Sequence, residues 1–255
     1  MPRAPRHRLQ GCHVVSLRPV GGHETLRRAA AREGARLLAL SPWRIEPRDD
    51  ATTRDQLGRA LQASRVVFTS PSAVRAALAL QPLRTRRGQL WCAVGEGTAL
   101  ALRRAGIARV EAPRRMDSEG LLDLPMLTVV RGTDIGLITA PGGRDRIAAG
   151  LLGRGARILR ADVYVRAPVA PSTAALARLR ALRRRPWLAL SSGQALHQVL
   201  AQLPAAACDR LLRARVAAAS DRLAALAREA GFDDIRVAAS ARPRDLIAAM
   251  AGTTG

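Results

Sequence analysis

Six short segments of this chain carry residues suited to one kind of chemistry, the holding of an anion. They are Arg18-Pro19-Val20-Gly21-Gly22, Thr69-Ser70-Pro71-Ser72, Gly95-Glu96-Gly97-Thr98, Pro141-Gly142-Gly143-Arg144, Ser191-Ser192-Gly193-Gln194 and Ser220-Asp221-Arg222. Each follows a short apolar run and opens into a stretch of helical spacing, so each reads as a turn from a strand's carboxyl end into a helix. Such a turn offers unpaired backbone N–H groups and the positive end of a helix dipole, and both favour a bound anion. Any one of them is accounted for by ordinary N-capping. Six together point to one large anionic ligand between domains, and the residues suit carboxylates as well as phosphates.

Other chemistries lack their residues. The nearest Gly-rich loop, at Gly95 and Gly97, has Leu100 where the third glycine of the dinucleotide fingerprint belongs, and neither GxxxxGK[ST] nor GxSxG occurs. Cys12, Cys92 and Cys208 are odd in number and form no CxxC, which suggests neither a disulfide framework nor a zinc site and fits a reducing compartment. His7, His13, His23 and His197 make no metal-ligand spacing, and each reads as a surface or capping residue. The expectation is therefore no cofactor and no metal.

The elements that must position the six turns follow from periodicity. Short apolar runs alternate with Ala/Leu/Arg stretches whose apolar residues recur at three and four, the pattern of βαβ units in an α/β protein. The spacing predicts strands at 13–17, 36–40, 65–69, 90–94, 109–111, 136–140, 157–165, 187–190, 215–219 and 235–239. It predicts helices at 23–33, 72–80, 98–105, 118–124, 144–152, 173–183, 194–200, 222–230 and 244–250.

The chain also repeats itself. At an offset of 121, Gly21, Gly22, Gly34, Ala35, Arg36 and Pro47 fall on Gly142, Gly143, Gly155, Ala156, Arg157 and Pro168; Thr69-Ser70 meets Ser191-Ser192 at 122, and Gly106 meets Gly231 at 125. This reads as a duplication. It makes LSPWRIEP (40–47) and ADVYVRAP (161–168) equivalent, each an extended, Pro-closed segment suited to linking domains.

At 255 residues the chain has room for two domains, and 48% hydrophobic residues supply a core. Its net charge is +22, from 42 basic and 20 acidic residues, and with no lysine present every basic residue is Arg. Either a coding bias toward Arg and Ala or an anionic partner produces such an excess. A nucleic-acid partner fits poorly, because there are only 3 Trp, 2 Phe and 1 Tyr for base stacking, and the Arg residues are dispersed among acids such as Glu33, Asp145 and Glu229. The apolar run 14–17 is too short for a signal-peptide core, and no stretch approaches 18 uncharged apolar residues, so a soluble cytoplasmic protein with no membrane partner is expected.

Taken in order, SLRPVGGHETLRRAAAREGARLLALSPWRIEP (16–47), VVFTSPSAVRAAL (66–78), CAVGEGTALALRRAGI (92–107), DSEGLL (117–122), APGGRDRIAAGLLGRGARILRADVYVR (140–166), LALSSGQAL (188–196) and ASDRLAALAREAGF (219–232) resemble the uroporphyrinogen-III synthase family. The resemblance implies two flavodoxin-like domains, parallel sheets flanked by helices, joined by a two-stranded linker ladder. One domain would comprise 1–41 and 169–255, the other 48–160, with 42–47 and 161–168 as linkers. The residues themselves also accommodate two continuous halves breaking near Pro113. The implied reaction converts the linear tetrapyrrole hydroxymethylbilane, which bears eight carboxylates, to uroporphyrinogen III with loss of water and inversion of ring D, without cofactor and in a monomer.

Carried over by residue, the resemblance makes Tyr164 the catalytic candidate: its phenol either assists departure of the hydroxide or holds the ring, or else it packs on Trp43 across the ladder. Thr69, Ser70, Ser191, Ser192, Ser220 and Arg222 match family strand-end positions, and Ser72 stands where many members of the family have Asn. With Arg18, Gly95, Gly142, Gly143 and Arg144 they form the expected substrate-binding set. The alternatives are a non-catalytic two-lobed anion-binding relative and a basic nucleic-acid-binding protein.

Overall fold

The computed structural model describes residues 8–115, 117–142 and 145–252. The strands among them are β1 (His13–Ser16), β2 (Arg36–Ala39), β3 (Trp43–Pro47), β4 (Arg65–Phe68), β5 (Leu90–Ala93), β6 (Asp134–Thr139), β7 (Arg157–Asp162), β8 (Tyr164–Pro168), β9 (Trp187–Leu190), β10 (Arg215–Ala218) and β11 (Ile235–Val237). The chain divides into two units. One takes the described residues up to Arg44 and those from Pro168 onward, the other Ile45–Ala167. The first holds a sheet of order β11-β10-β9-β1-β2 and the second a sheet of order β5-β4-β6-β7, with every pair parallel. Strands β3 and β8 pair in a separate two-stranded sheet where the chain passes between units.

The duplication governs this architecture. Adding 121 carries the start of β2, Arg36, onto the start of β7, Arg157; adding 122 carries β4 onto β9, and adding 125 carries β5 onto β10. Even register is preserved, since Val14↔Trp187 between β1 and β9 is the repeat image of Ile135↔Arg65 between β6 and β4. Each sheet thus joins the front of one repeat to the back of the other. The first unit, read from its β2 edge, has the flavodoxin-type order 2-1-3-4-5. In the second, the image of β11 shrinks to a single bridge, Cys92↔Glu111, so the expected strand at 109–111 does not form.

Parallel strands are covered by helices on both faces, which requires apolar side chains at successive positions. In β4, Val66 and Phe68 face one layer with Leu57, Ala77, Trp91 and Leu102, while Val67 faces the other with Leu121, Leu127 and Leu151. Phe68 and Trp91 stack at 5.7 Å between ring centroids. In the first unit Leu26, Ala30, Leu37, Trp187 and Leu246 form one such layer.

The repeat glycines end equivalent helices. Gly34 (φ 78°) and Gly155 (φ 79°) take the left-handed conformation that only glycine adopts without strain. In both, the next residue's N–H reaches back five positions, Ala35 to the Ala30 carbonyl and Ala156 to that of Leu151.

Other departures from the sequence-based expectation have local causes. The run 157–165 is two strands, because Val163 donates to the Thr139 carbonyl and accepts from the Arg48 N–H as the chain leaves one sheet for the other. The helix Ala51–Ala60 occupies a stretch whose few apolar residues show no helical period; its Asp50 cap accepts from the Thr53 N–H at 2.8 Å. Ala205–Leu212 and the single turn Pro125–Thr128 are likewise additional helices. Among the described residues no helix is long and apolar enough to cross a membrane.

Gly136 in β6 tests the contact between this sheet and its covering helix, since a Cβ there would lie 1.9 Å from the Ala60 carbonyl oxygen, whereas at Gly58 it would meet open space. In urea unfolding, Gly136→Ala should destabilise by about 3 kcal/mol or more through overpacking. Gly58→Ala, inside a helix, should stabilise by about 0.5–1 kcal/mol.

Candidate anion-binding site

In an open parallel sheet, ligands bind at the carboxyl ends of the strands where the order reverses. That point lies between β1 and β9 in the first unit and between β4 and β6 in the second. The sequence-expected residues fall on these edges. Arg18 follows β1, Ser191 and Ser192 follow β9, and Ser220 and Arg222 follow β10; in the second unit Thr69, Ser70 and Ser72 follow β4, Gly95 follows β5 and Gly142 follows β6. Gly143 and Arg144 lie outside the described residues.

The serines are helix caps. Ser70 accepts from the Ala73 N–H (3.1 Å), Ser192 from Ala195 (3.2 Å) and Ser220 from Leu223 (3.4 Å), each with extended backbone. Capping consumes the third amide of each helix and leaves the earlier ones for a ligand. After Ser192 the first of these belongs to Gly193; after Ser70 only Ser72 qualifies, because Pro71 has no N–H. Charge separates the turns further. The helices after Ser70 and Ser192 have no acid in the first turn, whereas those after Gly95 and Ser220 carry Glu96 and Asp221, and those after β1 and β6 carry Glu24 and Asp145, which compete with an external anion. Glu96 is itself paired with Arg103 at 2.9 Å.

Thr69 turns inward: it is buried, its hydroxyl donates to the Ile138 carbonyl (3.3 Å) and lies 2.9 Å from the Thr139 hydroxyl, so it ties β4 to β6. Tyr164 is 3% exposed within the second unit's core beside Phe68, Ala140 and Val163, with its phenol oxygen 3.2 Å from Ser70 Oγ. The phenol thereby reaches the β4 strand-end turn. Ser72 Oγ accepts from Arg75 at 3.1 Å, and Ser191 and Arg222 are exposed.

The turn after β1 holds a residue that sequence reasoning placed differently. His23 is buried and its ring does not cap the following helix; Nδ1 lies 2.9 Å from Ser16 Oγ and Nε2 lies 2.8 Å from Ser41 Oγ. Burial, then the charges of Arg27 and Arg18, lower its pKa to about 4, so the imidazole is neutral at physiological pH. The sequence signal was slight, one histidine next to two glycines. Half-buried Arg18 makes no ion pair among the described residues, and desolvation lowers its pKa too. Among the described residues no His, Cys, Asp and Glu side chains gather into a metal-binding group.

Two parallel sheets of flavodoxin type, with capped helix amides at their carboxyl edges and the half-buried Arg18 guanidinium on one of them, define a two-unit α/β protein. The family described as Uroporphyrinogen-III synthase HemD matches residues 24–248. Uroporphyrinogen-III synthase of Salmonella typhimurium strain LT2 is 32% identical over 214 residues, 81% of this chain and 86% of that protein. That of Escherichia coli strain K12 is 34% identical over 160 residues, 62% of this chain and 65%, just under two thirds, of that protein's length. In fold, the chain is similar to the crystal structure of a mutant uroporphyrinogen III synthase from the extremely thermophilic bacterium Thermus thermophilus, with TM-score 0.61 and 20% identity, covering 93% of this chain and 96% of that one. The chain belongs to the uroporphyrinogen-III synthase family.

The depressed pKa of His23 carries a sign. Below pH 6.5 the unfolded chain takes up a proton there that the folded chain refuses until about pH 4, so the contribution is complete above 6.5 and is lost as pH falls through that window. Stability should drop by on the order of 3 kcal/mol across it. His23→Gln, which does not titrate, should flatten that slope in urea titrations at pH 4.5, 5.5 and 7.

Proposed function

We propose that this chain is a uroporphyrinogen-III synthase that closes hydroxymethylbilane to uroporphyrinogen III with loss of water and inversion of ring D. The observation that carries this reading is the family match over residues 24–248. The substrate's eight carboxylates are held by backbone amides and arginine at the carboxyl edge of each unit. Arg18, Ser192 and Ser191 contribute in the first, and Ser70, Ser72 and Gly142 in the second. Gly143 and Arg144 extend that set in sequence, and Gly95, Ser220 and Arg222 serve turns followed by a first-turn acid, as the turns of Arg18 and Gly142 also are. Thr69 acts through the backbone of its turn. Residues 42–47 and 161–168 link a discontinuous domain, 1–41 with 169–255, to the domain 48–160. The protein works as a cytoplasmic monomer and without cofactor.

Chemically, the terminal hydroxyl of the substrate leaves as water with a proton from a general acid, giving an azafulvene. The substituted carbon of ring D attacks it to form a spiro intermediate, and that ring recloses inverted. The uncatalysed route closes without inversion to the type I isomer, so the enzyme's work is control of conformation and stabilisation of developing charge. Tyr164 is proposed as the acid. Ser70, already accepting from Ala73, donates its own proton toward the phenol oxygen, and the phenol O–H is then turned to the departing hydroxyl.

Chromatography of oxidised products from freshly prepared hydroxymethylbilane should show the type III isomer without added cofactor. Type I alone, at the uncatalysed rate, would favour the non-catalytic anion-binding alternative. Tyr164→Phe should lower kcat by about 10²–10⁴-fold with little change in KM. Ser192→Ala, which removes one neutral hydrogen bond, should cost roughly 0.5–1.5 kcal/mol in kcat/KM. Near-normal kcat in Tyr164→Phe would reduce the tyrosine to a packing residue.

A further inference from the structure

We infer that His23 is a positioning residue, its imidazole strung between Ser16 and Ser41 so that the turn 17–22 presents the Arg18 guanidinium and the Gly21 backbone to an anionic group of the substrate. This rests on the synthase reading above and assigns the work of one substrate-binding turn. Ser16 is the last residue of β1 and fully buried, and Ser41 lies just past β2. A neutral imidazole has one donor and one acceptor nitrogen, so one serine gives it a proton and the other receives one. The Ser16 bond also closes the turn on itself, joining the residue before it to the residue after it. Inside this loop the Gly22 N–H donates to the Pro19 carbonyl (2.9 Å), the Val20 N–H donates to the Trp43 carbonyl (3.0 Å), and Gly21 takes φ 77°. The backbone that carries Arg18 is therefore fixed from both ends and from the middle.

Residue chemistry at position 23 is constrained from both sides. A permanent cation there would add repulsion beside a guanidinium that already lacks a counter-charge among the described residues, and a desolvated unpaired charge is costly. A carboxylate would become that counter-charge and take Arg18 out of use. A neutral side chain with a donor and an acceptor meets both limits, and the lowered pKa of His23 keeps it in that form. The second unit has no such network in its repeat image, since Ser16 and Ser41 correspond at offset 121 to Leu137 and Asp162.

The test is a double-mutant cycle on the full chain, with His23→Ala, Arg18→Gln and the pair, read as KM and kcat for hydroxymethylbilane and as fluorescence titration with uroporphyrin III. Each single change should weaken KM and porphyrin binding by about tenfold with kcat within about twofold, and the pair should lose little more than either alone, as residues acting through one contact do. His23→Gln should recover most of the affinity, and His23→Glu should match Arg18→Gln. Effects that multiply to about a hundredfold, the additive expectation for independent sites, would overturn the inference. So would a His23→Ala protein with lowered kcat and melting temperature but unchanged KM. Should His23→Ala fail to fold, the Gln and Glu variants decide alone, and equal KM in both would sink it. Wild type that binds uroporphyrin III without making the type III isomer would defeat the synthase reading, while the binding cycle still judged His23.

Discussion

A parallel sheet delivers every strand's carboxyl end, and the amino end of the helix that follows, to a single edge. All else in this protein depends on that constraint. It concentrates orphan amides and helix dipoles on one edge of each sheet, even in a chain with neither a nucleophile motif nor a dinucleotide fingerprint. The edge is not uniform. Glu24, Asp145, Glu96 and Asp221 occupy the first turns after β1, β6, β5 and β10, while the helices after β4 and β9 have no acid there, so the least compensated helix ends lie on one side of the point where each strand order reverses.

Duplication explains why both units share this design, and divergence explains how they differ. Strand pairing and register are copied between the units, as are the helix-ending turns at Gly34 and Gly155. What changed lies at the edge. Arg18 and the Ser16–His23–Ser41 chain mark the first unit, and the Thr69–Thr139 and Ser70–Tyr164 contacts mark the second. A framework of backbone hydrogen bonds tolerates such divergence because neither sheet depends on the polar side chains at its rim for its order.

The arginine excess is partly structural. Arg154 donates to the Leu122 and Leu127 carbonyls, Arg210 to those of Leu182 and Arg184, Arg54 to Leu80 and Arg103 to Val110. These carbonyls close helices and loops, and in Arg154 and Arg210 one terminal guanidinium nitrogen serves two of them. Exposed pairs such as Arg28–Glu24 and Arg59–Asp55 add at most about 1 kcal/mol each. Arg18 differs from all of these by being half-buried and unpaired among the described residues. Charge count alone never separated it from the rest.

The sequence by itself determined the α/β class, the duplication, the pairing of the two linker segments and the six strand-to-helix turns. These are written in local periodicity, in glycines that end helices and in Ser caps, which need no distant partner to be legible. It left unread the helix Ala51–Ala60, whose few apolar residues gain meaning only from the sheet they cover, and it overread 109–111, where the neighbouring strand supplies a single bridge. Tertiary structure alone decided which hydroxyls stay at the strand-end turns as caps and which are spent inside. Thr69 turned into the sheet and Tyr164 into the core with its phenol at Ser70. It also decided that His23, which reads in sequence as a surface or capping residue, is buried between Ser16 and Ser41. Those outcomes depend on contacts between residues 7 to 94 positions apart, and spacing along the chain does not encode which side chains meet once strands from the two repeats exchange partners.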